Sequence, residues 1–288
     1  MSHNTSHTFS YRMLGALLAL ILLIPACAVL TNASAPAATQ PEPAAATAIP
    51  AASSALSSTS TSVPEPAVVE QITPSVVVDA SGLAQAVASL VLPAAAGGAD
   101  AAWWGEGPEY TVFWLYNYLI SDHTRQPQIF VYKVEDLNVN EAAARAAQDL
   151  QALLQTQQPG DRLPYLPLTG DIQALHAQVK YLDFKNGKGM RFLTQLNNGM
   201  APINNHGLFY TFQGLAGDGR YYVAAVLPVY LSSLPMFPNE IANLPLEFTD
   251  DYPTYIAGIT NQLNLEPDGN YMPDLSKLDT MIQSIEVR

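Results

Sequence analysis

Cys27 is the only thiol in 288 residues. With no second cysteine, a structural disulfide within the chain is excluded, and a thiol enzyme would need Cys27 itself as its nucleophile. Ser121, Asp122 and His123 are adjacent in sequence, where neighbouring side chains need not converge. No G-x-S-x-G turn is present to hold a serine nucleophile. Zinc finds neither an H-E-x-x-H helix nor a cysteine pair, and His123, His176 and His206 fall in separate segments. In "EPDGNYMPD", Glu266, Asp268, Asn270 and Asp274 take positions 1, 3, 5 and 9 of a calcium-type loop. Tyr271 replaces the required glycine and Lys277 the bidentate glutamate, so the spacing predicts a helix-capping loop. Gly187 and Gly189 approach a phosphate-binding G-x-G-x-x-G, but Phe192 stands at the last glycine. No metal and no cofactor is therefore expected. An alternative hydrolase would use Asp183, Asp250 and Asp251 with His206, and would need two of these groups in one pocket with separated pKa values.

The richest binding signal is "AAWWGEGPEYTVFWLYNY", which contains all three tryptophans. Trp114 falls inside a strand pattern and reads as core. Trp103 and Trp104 precede that strand; in an extended chain they would point to opposite faces, leaving one exposed to stack on a sugar or grip a partner. These two are the expected contact residues of a non-enzymatic binding module.

Ahead of Cys27 lie Arg12, the one basic residue of this segment, an apolar core from Leu14 to Ile24, and Pro25-Ala26. This is the layout of an export signal, shorter than a membrane span. Ile24-Pro25-Ala26-Cys27 resembles the bacterial lipoprotein signal, whose box reads branched apolar, variable, small, cysteine. The resemblance implies that Cys27 is thioether-linked to a diacylglycerol and that the signal is cut before it. Two acyl chains suffice for stable anchoring. It also implies an extracytoplasmic location and, with Ala28 following, no inner-membrane retention. Two other readings stay open. The uncharged run from Met13 to Leu30 is 18 residues, just long enough for a tilted anchor, although Pro25 would interrupt it. Ala33-Ser34-Ala35 is a small-x-small site for ordinary secretion, with Pro36 directly after the cut.

The formal net charge is −13, and removal of the signal with Arg12 leaves 11 basic against 25 acidic side chains, a net −14. Such a surface repels a phosphate polyanion, so no nucleic acid is expected. The expected partners are the membrane, through Cys27, and an envelope protein or carbohydrate. From Ala28 to about Pro74 the chain is Ala, Pro, Ser and Thr with only three glutamates, too little apolar surface to offset ordering. Aromatic residues are absent between Tyr11 and Trp103, and 24 follow in the last 186 residues, which marks a packed core. The expected organisation is a signal peptide 1–26, a disordered tether 27–75, a docking helix and loop 76–102, and a globular domain 103–288.

The docking helix is read from Leu83, Val87, Leu90 and Val91 at helical spacing behind a Ser81 cap. Strands are predicted over Tyr110–Leu119 and Gln128–Val134. Asn138 and Glu141 suggest a capping box ahead of a helix with Ala143, Ala146, Leu150, Leu153 and Leu154 on one face. A hairpin follows around Asn186-Gly187, then a second around Ala216 to Gly219. Two C-terminal helices place Ile256, Ile259 and Leu263, then Leu275, Leu278 and Ile282, inward. The fold class is α+β: an antiparallel meander flanked by helices. The stretch "VKYLDFKNGKGMRFLTQL…INNHGLFYTFQGLAGDGRYYVAAVLPV" is similar to bacterial surface lipoproteins. With the closing "LDTMIQSIEV" the order of elements resembles the PsbP-like sandwich, which implies a non-enzymatic accessory fold.

Overall fold

A computed structural model describes residues 74–97, 102–240 and 247–288. Cys27, the signal segment and nearly all of the proposed tether lie outside the described residues. The described residues form one compact unit.

Seven strands make one sheet: β1 Ala86–Leu92, β2 Tyr110–Tyr116, β3 Gln128–Lys133, β4 Ala177–Phe184, β5 Gly187–Thr194, β6 Phe209–Ala216 and β7 Tyr221–Pro228. Their order is β1-β2-β3-β7-β6-β5-β4, antiparallel throughout. Three long helices are α1 Glu141–Thr156, α2 Tyr252–Leu265 and α3 Leu275–Gln283. The fold is therefore α+β, as the sequence predicts, with helices on both faces. On one face α1 lays Ala143, Ala147 and Leu150 on Phe130, Phe192, Tyr222 and Val226. On the other, Leu263 of α2 and Leu275, Leu278 and Ile282 of α3 cover Phe113, Ile129, Phe212, Val223 and Leu227. Every residue of β7 is buried, because this strand lies mid-sheet between the two layers. Each fully buried Leu, Ile or Phe contributes about 1.5–3 kcal/mol.

The docking helix is corrected: Ala86–Leu92 is strand β1, paired over all seven residues with β2. Gly82 has φ +75, a left-handed conformation that stops a helix starting at Ser81. Only Leu83 of the supposed apolar stripe is buried, while Val87, Leu90 and Val91 face solvent. The sheet thus begins before residue 103. Short ladders close the unit: Val76–Val77 pairs with Glu286–Val287, and Ser75 and Arg288 exchange backbone hydrogen bonds of 3.0 and 2.8 Å.

The first hairpin forms, with Phe184 opposite Gly187 and Lys185-Asn186 as the turn. Its Asn186 bonds both ways with Val287, which anchors the turn to the last strand, and neither Asn186 nor Gly187 has a positive φ. The cap of α1 is Asn140, not Asn138. Val134–Val139 winds into a 3-10 helix in which the Asn138 side chain donates to the Glu135 carbonyl. No helix among the described residues is long and apolar enough to cross a membrane.

Candidate functional site

Trp103 and Trp104 sit in a turn, Ala102 to Gly105, closed by a 2.7 Å hydrogen bond from the Gly105 amide to the Ala102 carbonyl. A turn, unlike the extended chain expected, leaves both indoles exposed, at 54% and 46%. The rings meet edge to face with centroids 5.5 Å apart. Asn140 fixes this turn to α1. Its Oδ1 accepts from the amides of Ala142 and Ala143, while its Nδ2 donates to the carbonyls of Trp103 and Glu106 at 2.7 and 3.1 Å. One buried amide thus satisfies the helix start and the tryptophan turn together. Trp104 lies over Gly170, where an added Cβ would meet the ring at 2.8 Å.

Trp103 borders a groove of about 960 Å³ between α1 and the segment 158–173, lined among others by Arg145, Asp149, Arg162, Tyr165 and Asp171. The far wall is a loop, held by main-chain and side-chain hydrogen bonds. Gln157 at φ 53 ends α1, donating to the Leu153 carbonyl. Gln213 of β6 then bonds both the amide and the carbonyl of Leu166, at 3.0 and 3.1 Å, while accepting from the Tyr222 hydroxyl. Gln173 does the same for Leu163, and Arg125 pairs with Asp171 at 2.8 Å. The far wall is therefore held by hydrogen bonds within itself, to Gln213 of the sheet and to Arg125.

The histidines divide. His123 and His206 come together, ring centroids 6.3 Å apart. His206 lies 3.3 Å from Asp122 and packs on Phe237. His123 instead serves the backbone: Nε2 donates to the Leu208 carbonyl at 2.9 Å, and Nδ1 accepts from the Arg125 amide at 2.9 Å. That bonding fits the neutral ring. Ser121, Asp122 and His123 do not form a catalytic relay, because both nitrogens of His123 are committed. His176 is half-buried elsewhere, within reach of the Asp161 charge. Among the described residues no group of three or more His, Cys, Asp or Glu can hold a metal ion.

The other candidates are dispersed. Asp183 stands opposite Lys188 on the first hairpin, Asp251 caps α2 through the Thr254 amide, and Asp250 is exposed beside it. None of them accompanies His206, whose carboxylate is Asp122. In the calcium-like loop Asp274 caps α3, Asn270 donates to Glu266, and Asp268 turns to Arg191.

Arg191 is the centre that sequence reading missed. It is a buried guanidinium on the face covered by α3, paired with Asp279 and Asp268, with Lys180 and Tyr210 alongside. Burial and the Asp279 carboxylate push the Tyr210 phenol well up, so it remains a donor. Strand parity was the available signal: Arg191 alternates with Leu193 and so shares its inward face.

Burial holds His123 and His176 below the ordinary histidine value of 6.5. As pH falls through about 6.5 the unfolded chain takes up protons that the folded one refuses. Their contribution is full above that pH and is lost on acidification. The melting temperature should therefore fall between about pH 7 and 5, before most carboxylates titrate, and His123→Asn should flatten that slope. Calorimetric scans across this range check it; a melting temperature that rises on acidification would contradict it.

No protein family, curated protein or solved structure matches this chain.

Proposed function

We propose that this chain is an exported, lipid-anchored, non-catalytic binding module, tethered outside the cytoplasm through Cys27, and that it takes a carbohydrate chain in the groove beside Trp103. The observation that carries this reading is the half-exposed Trp103 indole at the edge of a groove, with Trp104 packed edge to face against it. An exposed indole offers an apolar plate to the C–H face of a sugar ring. Arg145, Asp149 and Arg162 along the same groove supply donors and acceptors suited to hydroxyl pairs. An open trough suits a chain that continues past both ends better than an enclosed small molecule. The acidic surface favours neutral or amino sugars over polyanions.

Titration of the full chain with soluble neutral and N-acetylated oligosaccharides, read by tryptophan fluorescence and calorimetry, tests this. Saturable binding is expected, weakened by Trp103→Ala by about 2 kcal/mol, roughly 30-fold, with the melting temperature held. Binding indifferent to Trp103, or none at all, would remove the carbohydrate reading. Shortened sugars in the mixture would replace it with the hydrolase. Mass spectrometry of membrane-extracted protein should find a diacylglycerol on Cys27; a free thiol on membrane-held protein would overturn the anchor.

A further inference from the structure

Strand β1 ends the sheet, and among the described residues it has one strand neighbour, β2. Six of its seven residues are exposed, Leu90 at 52%. Beside it Tyr116, opposite Ala86, is exposed as well. An edge strand carries unpaired N–H and C=O groups and is usually protected by a charge, a proline, a bulge or a covering loop. β1 has none of the first three: it reads AVASLVL, its register with β2 is unbroken, and no charged side chain occurs from residue 80 to 99.

We propose that this edge is a self-association surface, on which β1 pairs antiparallel with β1 of a second copy about a two-fold axis through Ser89. The composition of the strand selects that partner and register. Antiparallel pairing about Ser89 sets Ala86 against Leu92 and Ala88 against Leu90 on one face, so each small side chain meets a large one. On the other face Val87 meets Val91 and Ser89 meets itself. Centring the axis on Val91 would oppose Leu90 to Leu92 and leave Val87 unpaired. The charge-free strip matters too, because the net negative charge of two copies disfavours contact through their acidic faces. The contact is isologous and closes at two copies, joining two seven-stranded sheets into one. It does not involve Trp103 or the groove, so it stands or falls separately from the carbohydrate reading.

Two measurements on the full chain in mild detergent test this. Sedimentation up to about 100 μM, within the range of weak specific association, should show a monomer–dimer equilibrium. V91K should abolish the dimer, and V87E/V91K, which faces glutamate with lysine twice across the axis, should restore it in a salt-sensitive way. Both positions are exposed in the single copy, so melting temperatures should stay close to that of the unsubstituted chain. Cross-linking supplies the register. In antiparallel pairing, opposed Cα atoms lie about 4.5–5.5 Å apart, within disulfide reach. Ser89→Cys should therefore form a disulfide-linked dimer at least tenfold faster than Gln151→Cys on the exposed face of α1, with the unsubstituted chain as control for Cys27. A monomer throughout, a ladder of higher oligomers, an unaffected V91K dimer, a failed rescue, or equal cross-linking at 89 and 151 would each overturn the proposal.

Discussion

Asp279→Ala lowers the unfolding free energy by about 3 kcal/mol, the low end for breaking a buried ion pair, and the melting temperature by roughly 10 °C. The reason is what the carboxylate leaves behind. Arg191 is 2% exposed and Asp279 6%, so neither charge can turn to water. Asp279 Oδ2 accepts from Lys180 at 2.8 Å, and Oδ1 accepts from the Tyr210 hydroxyl at 3.0 Å. Oδ1 also lies 3.3 Å from the Arg191 Nε, close enough for charge but without hydrogen-bond alignment. Truncation strands the guanidinium and the phenol together. Asp268, 3.1 Å from Nη2, and the Gln178 carbonyl, 2.8 Å from Nη1, remain and keep the loss from the high end. Arg191→Met/Asp279→Leu should recover most of it, because an apolar pair of similar volume removes the charge as well as the partner. Thermal and urea unfolding of the two variants beside the parent decide this. A double variant no better than Asp279→Ala would mean that shape, not charge, sets the cost.

Gly189→Val is the second large effect, about 3 kcal/mol or more, at the upper end for overpacking. Gly189 on β5 stands opposite Gly214 on β6. A Cβ on Gly189 would fall 2.4 Å from both the Gln213 carbonyl oxygen and Phe212 Cζ, and 2.7 Å from the Gly214 Cα. Two of these three atoms are backbone and cannot swing away. The facing glycines leave a slot into which the Phe212 ring folds, edge to face with Phe184 at 5.9 Å. Adding Phe212→Leu to Gly189→Val should therefore relieve little, since the carbonyl contact stays. The check is a lower urea midpoint at unchanged slope; a midpoint within experimental error of the parent would refute the clash.

Elements that carry their own local signal were legible. Both hairpins followed from strand runs around turn residues, and α1, α2 and α3 from apolar residues three and four apart. What escaped was decided by distant partners. Ala86–Leu92 has helical spacing and strand spacing at once, and the hydrogen bonds of β2 choose between them. Asn138 and Asn140 are both fair caps until the 3-10 turn consumes the first. Adjacent tryptophans diverge in an extended chain, but the Asn140 amide holds that segment as a turn. Arg191 meets Asp279 and Asp268 across long sequence separations, so only parity hinted that it was inward. The same bridge relies on a bulge at Gln178, φ 53, whose side chain donates to the carbonyls of Leu263 and Glu266 while its own carbonyl accepts from Arg191. Such a non-glycine conformation persists because its surroundings over-determine it.

The strand order also sets a timetable. The pairs β1-β2-β3 and β4-β5-β6-β7 are each neighbours in sequence, but the seam between them, β3 on β7, joins Val131 to Val223. Closing so long a loop is slow, and nothing rewards it until the last main strand exists. During synthesis the first three strands must wait for residues near 221–228 with two bare sides, β1 and β3, instead of one. Any helper that shields nascent chain has its work defined by that interval, which ends when Tyr221 meets Lys133.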